Sequence, residues 1–203
     1  MTDYFDLLGE QRRPWLDAEH LKAKFVSLST NFHPDHVRNP DEGEKSAGAP
    51  RFADLNTAYN CLREAKSRTR HLLELELGHE AEKVSEIPPD LANLFIEVAQ
   101  VCREAGDYLV ERSKTCSPLL RVQLFERGQE LADRLQMLRL QLSQRQEAPT
   151  RDLKSLDAEW GRTMSDSTAR PLALQRLEEI HRRLSFYGRW DSQLREAIIQ
   201  LTL

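Results

Sequence analysis

Residues 17–35 read DAEHLKAKFVSLSTNFHPD, and this stretch decides the fold. Leu21, Phe25, Leu28 and Phe32 fall at i, i+4, i+7 and i+11, one apolar stripe of a 3.6-residue helix. Asp17 is placed as the N-cap, with Leu16 before it to pack on Leu21 as a hydrophobic staple. Pro34 drives His33 out of the α region, so the helix ends about there. His33-Pro34-Asp35 is therefore a short rigid corner displaying an imidazole and a carboxylate. A second helical stripe, Phe52, Leu55, Tyr59 and Leu62, follows a polar loop from Asp35 to Pro50. Two helices so joined make an antiparallel hairpin with the corner at its tip.

The 203 residues are 39% apolar and 31% charged, and no segment alternates like a strand for long. An all-α protein of one or two small domains is expected. A formal net charge of −4 and the lack of a basic stripe argue against nucleic acid as the main partner. No apolar run reaches the roughly 18 residues that mark a membrane span. The N-terminus is acidic, without an apolar signal core or an Arg-rich transit pattern, and points to a cytoplasmic protein. Cys61, Cys102 and Cys116 are scattered with no C-x-x-C, as suits a reducing compartment and no zinc module.

Along the chain, Gly78 suits the C′ position of a helix running to Leu77, which closes a first domain at residues 1–78. Residues 79–90 read as a polar linker, with Pro88-Pro89 stopping any helix and Asp90 placed to cap the next. Residues 91–203 read as a C-terminal helical bundle. Leu91, Leu94, Phe95, Val98, Val101, Cys102, Ala105 and Leu109 repeat at helical spacing, and Leu124, Gly128, Leu131, Leu135, Leu138 and Leu142 form a coiled-coil-like seam. That seam suits a bundle core, or a homodimer contact. Residues 149–170 are mixed, with a short helical piece around Leu153 to Trp160. Pro171 fits the first turn of a last helix striped by Leu177, Ile180, Leu184, Tyr187, Leu194 and Ile198. Three long amphipathic helices make a three-helix bundle, with Trp160 and Trp190 as packing anchors.

Asp3-Tyr4-Phe5-Asp6-Leu7-Leu8-Gly9, Phe32-His33-Pro34-Asp35 and Leu55-Asn56-Thr57-Ala58-Tyr59 together resemble a J-domain, the module of DnaJ-type co-chaperones. Arg68 with Leu72-Leu73-Glu74-Leu75, and the helical C-terminal extension, resemble the HscB (Jac-type) co-chaperones of iron–sulfur cluster biogenesis. The J-like motifs cover about residues 3–77. The resemblance implies a J-domain followed by a three-helix bundle, and a partner chaperone of the DnaK/HscA type whose ATPase is stimulated. It implies no cofactor and no enzyme activity of the chain's own. Its chaperone-binding residues are His33, Pro34 and Asp35 at the corner, with Lys22, Lys24 and Asn56 beside them. It also implies a client, an IscU-like scaffold, held by the first bundle helix, where Leu94, Phe95, Glu97, Glu104 and Asp107 are the nearest matches.

The sequence departs from the family at two places. J-domains carry a basic second helix, whereas residues 17–32 hold Lys22 and Lys24 against Asp17 and Glu19, and His36 stands where a lysine is common. The client stretch lacks the family's methionine and has fewer acids. A second reading follows: a scaffolding protein that keeps the J fold without chaperone stimulation. His33, Asp35, His36 and Asp41 have ligand chemistry for a metal, but their spacing matches no closed site. Cys61, next to the apolar face of the second hairpin helix, reads as a buried small residue, and neither Cys102 nor Cys116 has a histidine placed to activate it.

Overall fold

A computed structural model of the chain describes residues 2–30, 42–80, 86–115 and 117–202. Phe32, His36, Asp41, Cys116 and the corner His33-Pro34-Asp35 lie outside the described residues. All described regular structure is helical: α1 Tyr4–Leu7, α2 Ala18–Thr30, α3 Glu42–Arg63, α4 Ala65–Leu77, a 3₁₀ turn Pro89–Leu91, α5 Ala92–Lys114, α6 Pro118–Arg145, α7 Glu147–Ser165 and α8 Arg170–Thr202. Among the described residues no helix is long and apolar enough to cross a membrane. The chain folds into two compact units, Met1–Glu82 with Thr150–His181, and Lys83–Pro149 with Arg182–Leu203. This differs from the contiguous division at 78 and 91: residues 150–181 group with the N-terminal segment, not with the bundle.

In the first unit, Asp3 caps α1 by accepting the Phe5 and Asp6 N–H groups at 2.9 and 3.3 Å, and Phe5 and Leu8 are buried. Asp17 accepts the His20 N–H at 2.8 Å, the N-cap that the sequence predicts for α2. Leu16 and Leu21 are buried beside it, and Phe25 stacks on Tyr59 of α3 with ring centroids 4.4 Å apart. Leu55, Ala58 and Leu62 bury the facing side of α3. The loop expected up to Pro50 is shorter, because α3 starts at Glu42. Residues 42–49 include Glu42, Glu44, Lys45, Ala47 and Ala49, good helix formers, alongside the weaker Gly43 and Gly48, and Pro50 sits within the helix. Gly78 ends α4 with φ +75°, as its C′ role requires.

The remainder of the first unit was not visible as one piece in the sequence. Residues 149–170, expected as mixed structure with a short helix, hold all but the first two residues of helix α7, which starts at Glu147. Leu153, Leu156 and Trp160 line its buried face. Trp160 Nε1 donates to the Arg12 carbonyl at 3.0 Å, and Asp157 accepts from the Trp15 N–H at 3.1 Å and pairs with the Arg13 guanidinium. Arg68 is 3% exposed, donating from Nε to the Pro14 carbonyl at 2.9 Å and from a terminal nitrogen to the Leu62 carbonyl at 2.6 Å. Burial lowers its pKa to about 10, so it stays charged at neutral pH. The start of α8 adds buried Ala173, Leu177 and Ile180. Thr69 and His181 meet at 3.1 Å, and Arg170 donates to Glu76 at 3.1 Å.

The second unit is the expected three-helix core, built from α5, α6 and the later part of α8. Leu94, Val98 and Val101 of α5 pack with Leu135, Leu138 and Leu142 of α6 and with Phe186, Trp190 and Leu194 of α8. A second cluster joins Tyr108 to Leu124 and Leu131. The leucine seam is thus filled by the chain's own helices, so it is not the homodimer contact that the sequence left open. Gly128 is needed in it: a Cβ there would lie 2.5 Å from the Tyr108 hydroxyl. Asp90, expected as a cap, instead accepts from Arg183 at 2.5 Å, and α5 starts from the 3₁₀ turn.

Candidate functional site

Two regions carry the residues that the sequence points to: the hairpin of α2 and α3 in the first unit, and the α5 face in the second. On the hairpin, the corner residues lie outside the described structure, and their frame is what can be read. The described span of α2 reaches Thr30, three residues before His33 in sequence. Lys22 is exposed. Lys24 is not a free cation: its ammonium donates to the Gly9 carbonyl at 2.6 Å and lies 3.0 Å from Glu10 Oε1, an ion pair off hydrogen-bond alignment. Asn56 is half-buried and its amide donates to the Phe52 carbonyl at 3.1 Å, one turn back along α3. Of the three flanking residues expected to face a partner, only Lys22 is without a described contact that occupies it.

On α5, the expected client residues separate. Leu94 is 2% exposed and belongs to the bundle core, so it is withdrawn as a contact residue. Phe95, one position on and therefore about 100° around the helix, is 41% exposed. Glu97 is exposed. Glu104 is taken up by Arg134 at 2.5 Å and by Gln100 at 3.0 Å, contacts that lower its pKa. Phe95 does not stand alone. Its ring lies 6.3 Å from that of Trp190, and the two border a groove of about 360 Å³ lined also by Ala99, Cys102, Glu196 and Gln200. Sequence reasoning missed the α8 wall of this groove, because Trp190 is 95 positions from Phe95 and reads equally well as core.

Cys61 and Cys102, the two described cysteines, are set up as poor nucleophiles. Burial, with Glu74 and Glu64 nearby, pushes the Cys61 thiol up to about 11, and its sulfur donates to the Ser67 carbonyl at 3.6 Å. Burial also raises Cys102. Among the described residues no group of three or more potential ligands is placed to hold a metal. The arrangement offers docking surfaces and no described reactive centre.

No model of a known protein family matches the sequence. Solved structures do match. The chaperone HscB from Vibrio cholerae superposes with a TM-score of 0.61 at 18% identity, over 98% of this chain and 99% of that one. The human co-chaperone protein HscB gives 0.61 at 16% identity, over 97% of this chain and 82% of that one. The chain is HscB-like in fold. The likeness runs the full length, so the bundle as well as the J-like hairpin has its counterpart in HscB. At these identities individual side chains are not carried across; the residues above stand on their own geometry.

Proposed function

We propose that this protein is a co-chaperone of the HscB type, whose hairpin stimulates the ATPase of a DnaK/HscA-type chaperone and whose bundle holds a client, an IscU-like iron–sulfur scaffold. The observation that carries this reading is the combination of an intact His33-Pro34-Asp35 with an HscB-like fold over 98% of the chain. On this reading Asp35 accepts charge-assisted hydrogen bonds from an arginine of the chaperone, His33 supplies a ring nitrogen, and Pro34 limits the entropy lost when the corner docks. The protein breaks no bond itself; it biases a conformational equilibrium in a partner that hydrolyses ATP. Phe95, with Trp190 behind it, is the residue we assign to the client, because its exposed aromatic ring borders a recess that also holds the carboxylate of Glu196; Glu97 is exposed on α5 but does not line that recess.

A second reading, a scaffolding protein that keeps the fold without stimulation, is favoured by the engagement of Lys24 with Gly9 and Glu10. Single-turnover ATP hydrolysis by each DnaK-type chaperone of the source organism separates the two. Stimulation by the wild type, lost in Asp35→Asn with melting unchanged, is the outcome expected of a co-chaperone. A folded wild type that stimulates none of them, or an Asp35→Asn variant that stimulates equally, overturns the assignment of the corner.

A further inference from the structure

The second unit holds another recess, with polar groups that the fold leaves unused. It opens between the end of α5, the first half of α6 and the end of α8, and measures about 650 Å³. That is the size of a small-molecule site. Tyr108 lines it, only 3% exposed, with its hydroxyl set against Gly128, where a Cβ would lie 2.5 Å away. Among the described residues this hydroxyl has no hydrogen-bond partner, and its oxygen is not sealed within the core. Phenylalanine would fill the same space without desolvating a hydroxyl, so a tyrosine here calls for a partner from the recess. Arg112, one turn further along α5, lies 6.0 Å from the Tyr108 ring centroid and donates to the Leu201 carbonyl at 3.3 Å. It is the one charged side chain among the described lining residues, and no described carboxylate pairs with it. Arg127 and Arg134 of α6, by contrast, are matched by Glu111 and Glu104. The remaining surface is largely apolar around Leu124, Leu201 and the exposed ring of Phe125.

We propose that this recess binds a small monocarboxylate with an apolar body, of the medium-chain fatty-acid class. The carboxylate accepts from the Arg112 guanidinium and the Tyr108 hydroxyl, while the chain lies on Leu124, Phe125 and Leu201. Three features select this ligand. A guanidinium without an acid favours an anion, and its charge-assisted bond to a carboxylate is a strong one. A single cation beside apolar walls suits one negative charge on a greasy body better than a multiply charged phosphate. An apolar ligand without a head group would leave both donors as they are. The site shares no lining residue with the recess beside Phe95, and the inference stands without the co-chaperone reading.

The test is a titration of the ¹⁵N-labelled full chain with octanoate at neutral pH, followed by the backbone amide signals. The expected result is saturable movement of the Gly128 and Gln129 signals, with a dissociation constant of about 1 mM or tighter. Octan-1-ol and octylamine, which keep the chain and change the head, should bind at least about tenfold more weakly. Tyr108→Phe, which retains the buried ring, and Arg112→Gln, at an exposed position, should each weaken octanoate by about tenfold while melting like the wild type. Equal binding of octanoate and octan-1-ol would reduce the recess to an apolar surface and overturn the proposal. It is overturned equally by folded variants that bind octanoate as the wild type does, by signals that move at Ala99 and Cys102 in place of Gly128, or by no saturable movement at all.

Discussion

At His71 the fold depends on an unprotonated ring nitrogen. Nε2 accepts the Tyr4 N–H at 3.1 Å while the ring stacks on Tyr4 and Phe5, which fastens α1 to α4. Burial is the main reason its pKa lies below the ordinary 6.5; Arg12 adds to the lowering, and Asp3 and Glu74 oppose it. His181, buried against Thr69 in the same unit, is lowered by burial and by the charge of Arg70, against a smaller opposing effect of the Lys66 backbone. A lowered folded pKa means that the unfolded chain binds protons the folded one does not. The stabilisation is therefore fully present above the unfolded value and is lost as pH falls through the folded one. The melting temperature should drop between about pH 7 and about pH 5, a window above the carboxylate range. His71→Gln, whose side-chain oxygen can still accept from Tyr4, should flatten that drop. Thermal melts of the two proteins across the window check this; a wild-type melting temperature that stays level would show that neither imidazole is held neutral by the fold.

Among the elements, the approach of α5 to α6 is set by one missing side chain. Tyr108 is 3% exposed and lies where a Cβ on residue 128 would meet its hydroxyl at 2.5 Å and its ring at 2.9 Å. Gly128→Ala should cost about 1–3 kcal/mol through overpacking, despite the better helix propensity of alanine. In a Tyr108→Leu background the same substitution should cost much less, so urea unfolding of the four proteins should give a coupling energy of about 1 kcal/mol or more. Additive effects would mean that the two helices part without strain. Much at this scale was legible in the sequence: the Asp17 cap, the Gly78 terminus and the leucine seam are local patterns, and they stand in the structure as read. What failed was register and distance. Leu94 and Phe95 differ by one residue, and which of them faces out depends on where the partner helices lie. α7 was hidden because Pro149, Gly161 and several scattered Ser and Thr weaken its local signal, although Leu153, Leu156 and Trp160 carry a helical stripe. The tertiary contacts of those three residues outweigh propensity. At the candidate site, the corner motif was legible as a motif alone, whereas the pairing of Phe95 with Trp190 needed the fold.

For the whole molecule, the chain enters the first unit twice, and this changes what counts as a domain. Read from the sequence, residues 1–78 look self-sufficient. In the fold, the Arg12 carbonyl receives the Trp160 indole, Asp157 accepts from Arg13 and the Trp15 N–H, Thr69 meets His181, and Glu76 accepts from Arg170. A fragment ending at residue 78 keeps none of these partners. It also leaves Thr69, fully buried in the intact chain, without His181 beside it. The ion pairs on the surface contribute little individually, but Trp160 is a large buried side chain, and loss of such packing costs about 3–5 kcal/mol. The fragment should therefore unfold at a markedly lower urea concentration than the first unit of the full chain, by a difference of about 3 kcal/mol or more. Trp160→Ala in the full chain should move that unit in the same direction, which separates the lost packing from any effect of chain length. Equal midpoints for fragment and full chain, followed by helicity, would show that residues 150–181 cover the hairpin unit without holding it, and would restore the contiguous division. A lower midpoint makes the segment from 150 to 181 part of the J-like unit, and chaperone assays on the isolated N-terminal fragment would then measure its instability as well as its binding.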